Sequence, residues 1–192
     1  MANLFQLALP NSKTLDTIIE QQKNAKLNYS KDNLSGFDFD KNQIYLGTGD
    51  NVWQAAKKAM TSWAMFPNGW TRIYYQNPIF TEGDIVVLCA RVFGIWWLNA
   101  SRIITVIDDD QHFGFAYGTL PHHVEKGEEL FQVYRNEQGE VFYNLTAFSK
   151  PNFWPVRWTY PLSRRFQKRF VRDSLNNVKL STSERINEPY LP

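Results

Sequence analysis

Between Trp70 and Phe148 the chain reads as six strand segments, near 70–76, 84–92, 95–107, 112–120, 128–136 and 140–148. Asn68-Gly69, Glu82-Gly83, Asp108–Asp110, the 121–127 loop and Gly139 supply the breaks. A parallel pair needs a long crossover, and these breaks are too short to hold one. Consecutive segments must therefore pair antiparallel. One further short strand is expected at Ile44–Leu46, after a polar loop from Asn28 to Asp40 that contains Gly36.

An antiparallel sheet needs a layer on its apolar face, and the remaining segments supply helices. Residues 13–22 form a short helix capped by Asn11 or Ser12, with Leu15, Ile18 and Ile19 inward. A second helix follows Thr48 or Asp50, either of which can cap it, and repeats Val52, Ala56, Ala59 and Trp63 at helical spacing. The preceding Gly-Thr-Gly lacks the Lys-Ser/Thr ending of a phosphate loop and reads as a strand-to-helix turn.

Pro151, Pro155 and Pro161 end the β region, and a last helix starts near Pro161. Leu162, Phe166, Phe170, Val171 and Val178 share one side of it, and Arg164, Arg165, Lys168, Arg169 and Arg172 the other. The expected class is α+β: a curved antiparallel sheet of about six or seven strands packed on a long C-terminal helix. This layout is similar to the helix-grip folds of START and Bet v 1-like proteins, in which sheet and helix enclose an apolar cavity. The chain is read as a single domain, 1–192, with an N-terminal helical extension (1–26), a core (27–180) and a polar tail (181–192).

Composition narrows the function classes. Aromatic residues make up 16% of the chain, which calls for an aromatic-rich core or a large pocket. A net charge of +2 is too small to imply nucleic acid. The lone Cys89 excludes an intramolecular disulfide, fits a reducing compartment, and sits in an apolar strand as an inert thiol. The N-terminus has no basic leader and does not read as a signal peptide. The apolar stretch Ile85–Ile107 raises the membrane question, but Arg91, Asn99, Ser101 and Arg102 interrupt it and Gly94 divides it into two strands. No transmembrane segment is expected, and the chain is read as cytoplasmic.

The stretch FGFAYGTLPHHVEKGEELF, from Phe113 to Phe131, carries the densest signal. Alternation sends Phe113, Phe115, Tyr117 and Thr119 to one face and Gly114, Ala116 and Gly118 to the other. A strand with two glycines usually has a reason: the small face is expected to accept the C-terminal helix, let the sheet curl, or widen a cavity. Together with GTGDNVWQAA, MFPNGW, GIWWLNASRI and YPLSRRFQKRFVRDS, this stretch resembles the family known as domain of unknown function nineteen-ninety. The resemblance runs roughly from Leu27 to Val178. It marks Gly114, Tyr117, Gly118, Thr119, Leu120, Pro121, His123, Glu125, Gly127, Glu128 and Phe131, whereas many members have glycine at the place of His122. It implies kinship and a lipid-transfer-like fold, and no particular chemistry.

The adjacent His122 and His123 point opposite ways on an extended chain, unlike histidines spaced to share a metal, so no metal or cofactor is assigned. Acid–base chemistry has candidates in His123, Glu125 and Glu128, since a carboxylate beside an imidazole tunes it, but no nucleophile motif accompanies them. Arg91 and Arg102 lie in apolar strands and need partners, for which Glu128 and Glu129 are available. Trp97, Asn99, Arg102, Tyr117, His123 and Tyr143 are placed around an apolar cavity; only one of Trp96 and Trp97 can face it.

The leading reading is a protein that holds an apolar or amphipathic small molecule between sheet and C-terminal helix. An enzyme using the same cavity through a His/Glu pair comes second. An adaptor that meets anionic membrane or nucleic acid through the basic helix face comes third.

Overall fold

The computed structural model describes residues 3–152 and 160–187. Side-chain alternation and tight turns build the strands β1 (Phe5–Gln6), β2 (Asp38–Thr48), β3 (Thr71–Tyr74), β4 (Ile85–Val92), β5 (Ile95–Asp108), β6 (His112–Thr119), β7 (Glu125–Arg135) and β8 (Glu140–Pro151). The helices are α1 (Ser12–Gln22), α2 (Asp50–Thr61) and α3 (Tyr160–Asn187). The strands form one eight-stranded antiparallel sheet in the order β2-β8-β7-β6-β5-β4-β3, with β1 added beside β5. Register shifts between Ile103 and Thr105 and between Tyr45 and Gly47 mark bulges, which bend strands and help a sheet curl.

Two layers use this sheet differently. Helices α2 and α3 cover its inner face over a core of Trp53, Met60, Trp63, Phe115, Phe131 and Val178. Helix α1 packs on the outer face of β4 and β5, where Ile18, Val87, Trp96, Leu98 and Leu120 form a second core. The N-terminal segment is thus part of the packed body, and Trp96 faces α1 while Trp97 faces inward. Asn11 caps α1 by accepting a hydrogen bond from the Thr14 amide at 2.9 Å. Neither Thr48 nor Asp50 caps α2; the capping position is Gly49, with no side-chain bond, and Asp50 is the first helical residue and pairs with Arg135 at 2.9 Å.

Several sequence expectations need correction. β2 spans eleven residues where only Ile44–Leu46 was expected, and β7 starts at Glu125 rather than near 128. Both strands begin with polar residues on the inner face, Asp40 and Asn42 in one and Glu125 in the other, which masks the alternation. The small face of β6 does not receive the C-terminal helix. A Cβ at Gly118 would meet the Tyr29 hydroxyl at 2.6 Å and Leu27 Cδ2 at 2.9 Å, so that face admits the segment before β2. The aromatic face of β6 turns inward, because its rings fill the floor beneath α2 and α3. Helix α3 continues through Asn187 with Thr182 buried, so residues 181–187 are helix and not tail; Pro155 and residues 188–192 lie outside the described residues.

Candidate functional site

The inner face is filled unevenly. Towards α2 it carries Phe113, Phe115 and Phe131, which close the core with Trp63 from the turn after α2. Towards the start of α3 it carries smaller or polar side chains, including Ala90, Asn99, Ala147 and Ser149, and these leave a cavity of about 260 Å³ between sheet and helix. Leu88, Val92, Ile95, Trp97, Phe166 and Phe170 give it apolar walls. Phe93 and Gly94 make a two-residue turn between β4 and β5 with φ of 52° and 79°. That left-handed region suits glycine far better than phenylalanine. The Phe93 ring is exposed and meets Phe166 of α3 edge-on at 5.6 Å, next to the cavity.

The polar end is built by β7. Glu125 and Glu129 both face inward, flanking Gly127, whose missing side chain lets β8 come close: a Cβ there would lie 1.8 Å from the Phe148 carbonyl oxygen. Glu125 accepts a hydrogen bond from Gln167 of α3, and Glu129 accepts one from the Tyr117 hydroxyl at 2.6 Å. Burial disfavours the charged carboxylates. It pushes Glu125 up to about 7, with the charge of Glu129 adding to the rise and the Gln167 hydrogen bond opposing it. Glu129 is raised for the same first reason, against the pull of Tyr117. Both side chains keep some accessible surface, as expected of groups that face a cavity. The Tyr117 hydroxyl is pushed well above its ordinary value by burial and by Glu129.

At the rim, Arg164 grips Asp40 with two hydrogen bonds of 2.7 and 2.9 Å, and these hold the Asp40 carboxyl below its usual range. Arg164 was expected on the solvated face of the last helix; it folds back onto β2 instead. Arg169 and Arg172 both reach Asp173, at 3.4 and 2.9 Å, and Arg169 also lies over the Trp70 ring at 4.6 Å.

His123 is buried and lines the cavity. Its Nδ1 accepts the Glu125 amide at 2.9 Å, which leaves the proton on Nε2. Desolvation pushes its pKa down to about 3, so the ring is neutral across the physiological range and is a hydrogen-bond donor, not a ready base. Among the described residues Nε2 has no hydrogen-bond partner, and no group of three or more His, Cys, Asp or Glu could hold a metal ion. No helix among the described residues is long and apolar enough to cross a membrane.

Of the residues placed around the cavity from sequence, Trp97, Asn99, Tyr117 and His123 line it, as does Glu125. Arg102 does not. It points to the outer face and donates to the carbonyls of Ala25, Gln22 and Lys23 at 2.9, 3.1 and 2.8 Å, tying down the end of α1. Tyr143 lies under α3, its hydroxyl 2.9 Å from Ser174 Oγ, away from the cavity lining. Glu128 is also on the outer face, where it accepts from Tyr29 and pairs with Lys31 at 2.9 Å. Arg91 is exposed above Trp96, and β5 and β6 separate its strand from the glutamates expected to pair with it. Strand parity already separates Arg102 from Asn99 and Glu128 from Glu125, so these misplacements were avoidable. Glu129, Asp40, Asn42 and Gln167 were missed as cavity residues, because a polar residue in a strand ordinarily signals solvent.

Residues 23–177 match the family described as Domain of unknown function (DUF1990). The UPF0548 protein of Dictyostelium discoideum is 37% identical over 156 residues, which cover 75% of this chain and 72% of the relative. The UPF0548 protein of Arabidopsis thaliana is 30% identical over 149 residues, 74% of this chain and 72% of the relative. Among solved structures, the Zhui aromatase/cyclase of Streptomyces sp. R1128 superimposes with a TM-score of 0.57 at 13% identity, over 80% of this chain and 98% of its own. A hypothetical protein of Helicobacter pylori gives 0.56, also at 13% identity, over 82% and 96%. These likenesses show the fold, a helix-grip arrangement of the Bet v 1 and START type.

Proposed function

The chain belongs to the DUF1990 family, and from that membership and its helix-grip fold we propose that it binds an apolar or amphipathic small molecule between the sheet and α3. One observation carries this reading: the sheet leaves about 260 Å³ unfilled under the start of α3, with apolar walls and a few converging polar groups, the usual make-up of a small-molecule site. A cavity of that size forfeits packing energy in the empty protein, and an apolar occupant restores it. Trp97, Asn99, Tyr117 and His123 are the ligand-facing residues of this reading, with Glu125 and Glu129 added.

Catalysis in the same cavity is the second reading. A carboxyl pushed up to about 7 can exchange a proton near neutral pH, and that is a property of Glu125 rather than of His123. The adaptor reading loses ground, since Arg164 is committed to Asp40, and Arg169 and Arg172 to Asp173. The proposal places the protein in the cytoplasm, in keeping with its lone buried thiol.

The test compares the mass of the purified protein under native and denaturing conditions, with organic extraction of whatever is released. A stoichiometric apolar compound, retained less well by Trp97→Ala at equal fold stability, is the expected result. A protein that carries nothing and takes up no apolar fluorescent probe would reject the binding function.

A further inference from the structure

The cavity is apolar for most of its wall, yet two carboxylates sit at its polar end. Each has one neutral hydrogen-bond donor, Gln167 for Glu125 and Tyr117 for Glu129, and among the described residues neither forms an ion pair. Each keeps acceptor capacity that these single bonds do not use. The cation at the rim, Arg164, holds Asp40 with both of its terminal nitrogens, and its influence on Glu125 is outweighed by burial and by Glu129.

Unpaired acids in a desolvated site are costly, and proteins normally exclude them or match them with a cation. A second observation points to a missing ligand. His123 is buried, lines the same end, and presents an Nε2–H that has no partner among the described residues. That nitrogen is not sealed off in the core, and from the cavity wall it can donate to an acceptor on a bound molecule.

We propose that the ligand is an apolar molecule bearing a basic amine, its ammonium group held by Glu125 and Glu129 and its tail against Leu88, Val92, Trp97 and Phe166. This rests on the small-molecule reading above and names the ligand class. An ammonium brings several N–H donors, which match the open oxygens of the two glutamates, and its charge removes their mutual repulsion. A neutral head offers no counter-charge, so burial keeps favouring the protonated acids, and an anionic head adds a further like charge to whatever ionised form remains. The His123 Nε2–H suits an oxygen near the amine, so a hydroxylated amine fits better than a simple one.

The deciding experiment is calorimetry of the full chain at neutral pH with octylamine, octanol and octanoate, three heads on one tail. The amine is expected to bind about tenfold tighter than the alcohol, equivalent to about 1.4 kcal/mol, with octanoate weakest. In Glu125→Gln/Glu129→Gln the ratio of amine to alcohol affinity should fall to about one, whatever the variant's absolute affinity for octanol; a melting curve verifies that this variant folds, and Glu125→Gln alone serves if it does not. Equal binding of amine and alcohol by the unmodified protein overturns the amine proposal and leaves the binding function standing. So does a preference that survives the substitutions. Binding of none of the three overturns both.

Discussion

Replacing Glu125 by glutamine should stabilise the protein above neutral pH and leave it nearly unchanged in acid. In the folded chain burial lifts this carboxyl from its ordinary 4.5 to about 7. Between those values the unfolded state has lost the proton and the folded state has kept it, so stability falls as pH rises. The contribution is fully present below the unfolded value and gone above the folded one. At about 1.36 kcal/mol for each unit, the interval from 4.5 to about 7 corresponds to about 3 kcal/mol as an upper figure. Glutamine cannot ionise and can still accept from Gln167, so the variant should lack this decline. Urea unfolding followed by tryptophan fluorescence measures the effect at about pH 5 and about pH 8, where a slope of about 2 kcal/mol per molar urea turns it into a midpoint gap of about 1.5 M. Glu129 and Asp40 titrate in both proteins and largely cancel in the comparison. A gap of the same size at both pH values would refute the enclosed, proton-retaining Glu125.

Two further substitutions separate scaffold from site. Arg102→Met removes three bonds to carbonyls at the end of α1 and should cost about 2–3 kcal/mol while leaving ligand capture intact. Lost capture at unchanged stability would put Arg102 at the cavity after all. Gly127→Ala would drive a methyl to within 1.8 Å of the Phe148 carbonyl oxygen, in a backbone with φ of 146°. It should cost about 3 kcal/mol or prevent folding; an unshifted thermal melt would contradict the close approach of β7 and β8.

Local chemistry was legible along most of the chain. Turn residues located the hairpins, and period-2 alternation separated the two faces of β6, although it is the aromatic face with Tyr117, and not the small one, that turns towards the helices. Helical spacing put Phe166, Phe170 and Val178 under α3. Where strands were misread, at the starts of β2 and β7, the inward residues were polar, and a pattern method takes polarity for solvent.

The antiparallel sheet with its closing helix follows from the sequence by itself, because turns, caps and amphipathic spacing are properties of neighbouring residues. The cavity does not. Asp40 and Arg164 meet across 124 positions, and Gln167 reaches Glu125 across 42, only because α3 lies over the curled sheet. Enclosure by that helix, and not any feature of the segment EKGEELF, turns two ordinary strand glutamates into a buried acidic pair. Desolvation depends on everything that surrounds a group in space, and so only the tertiary structure could decide it.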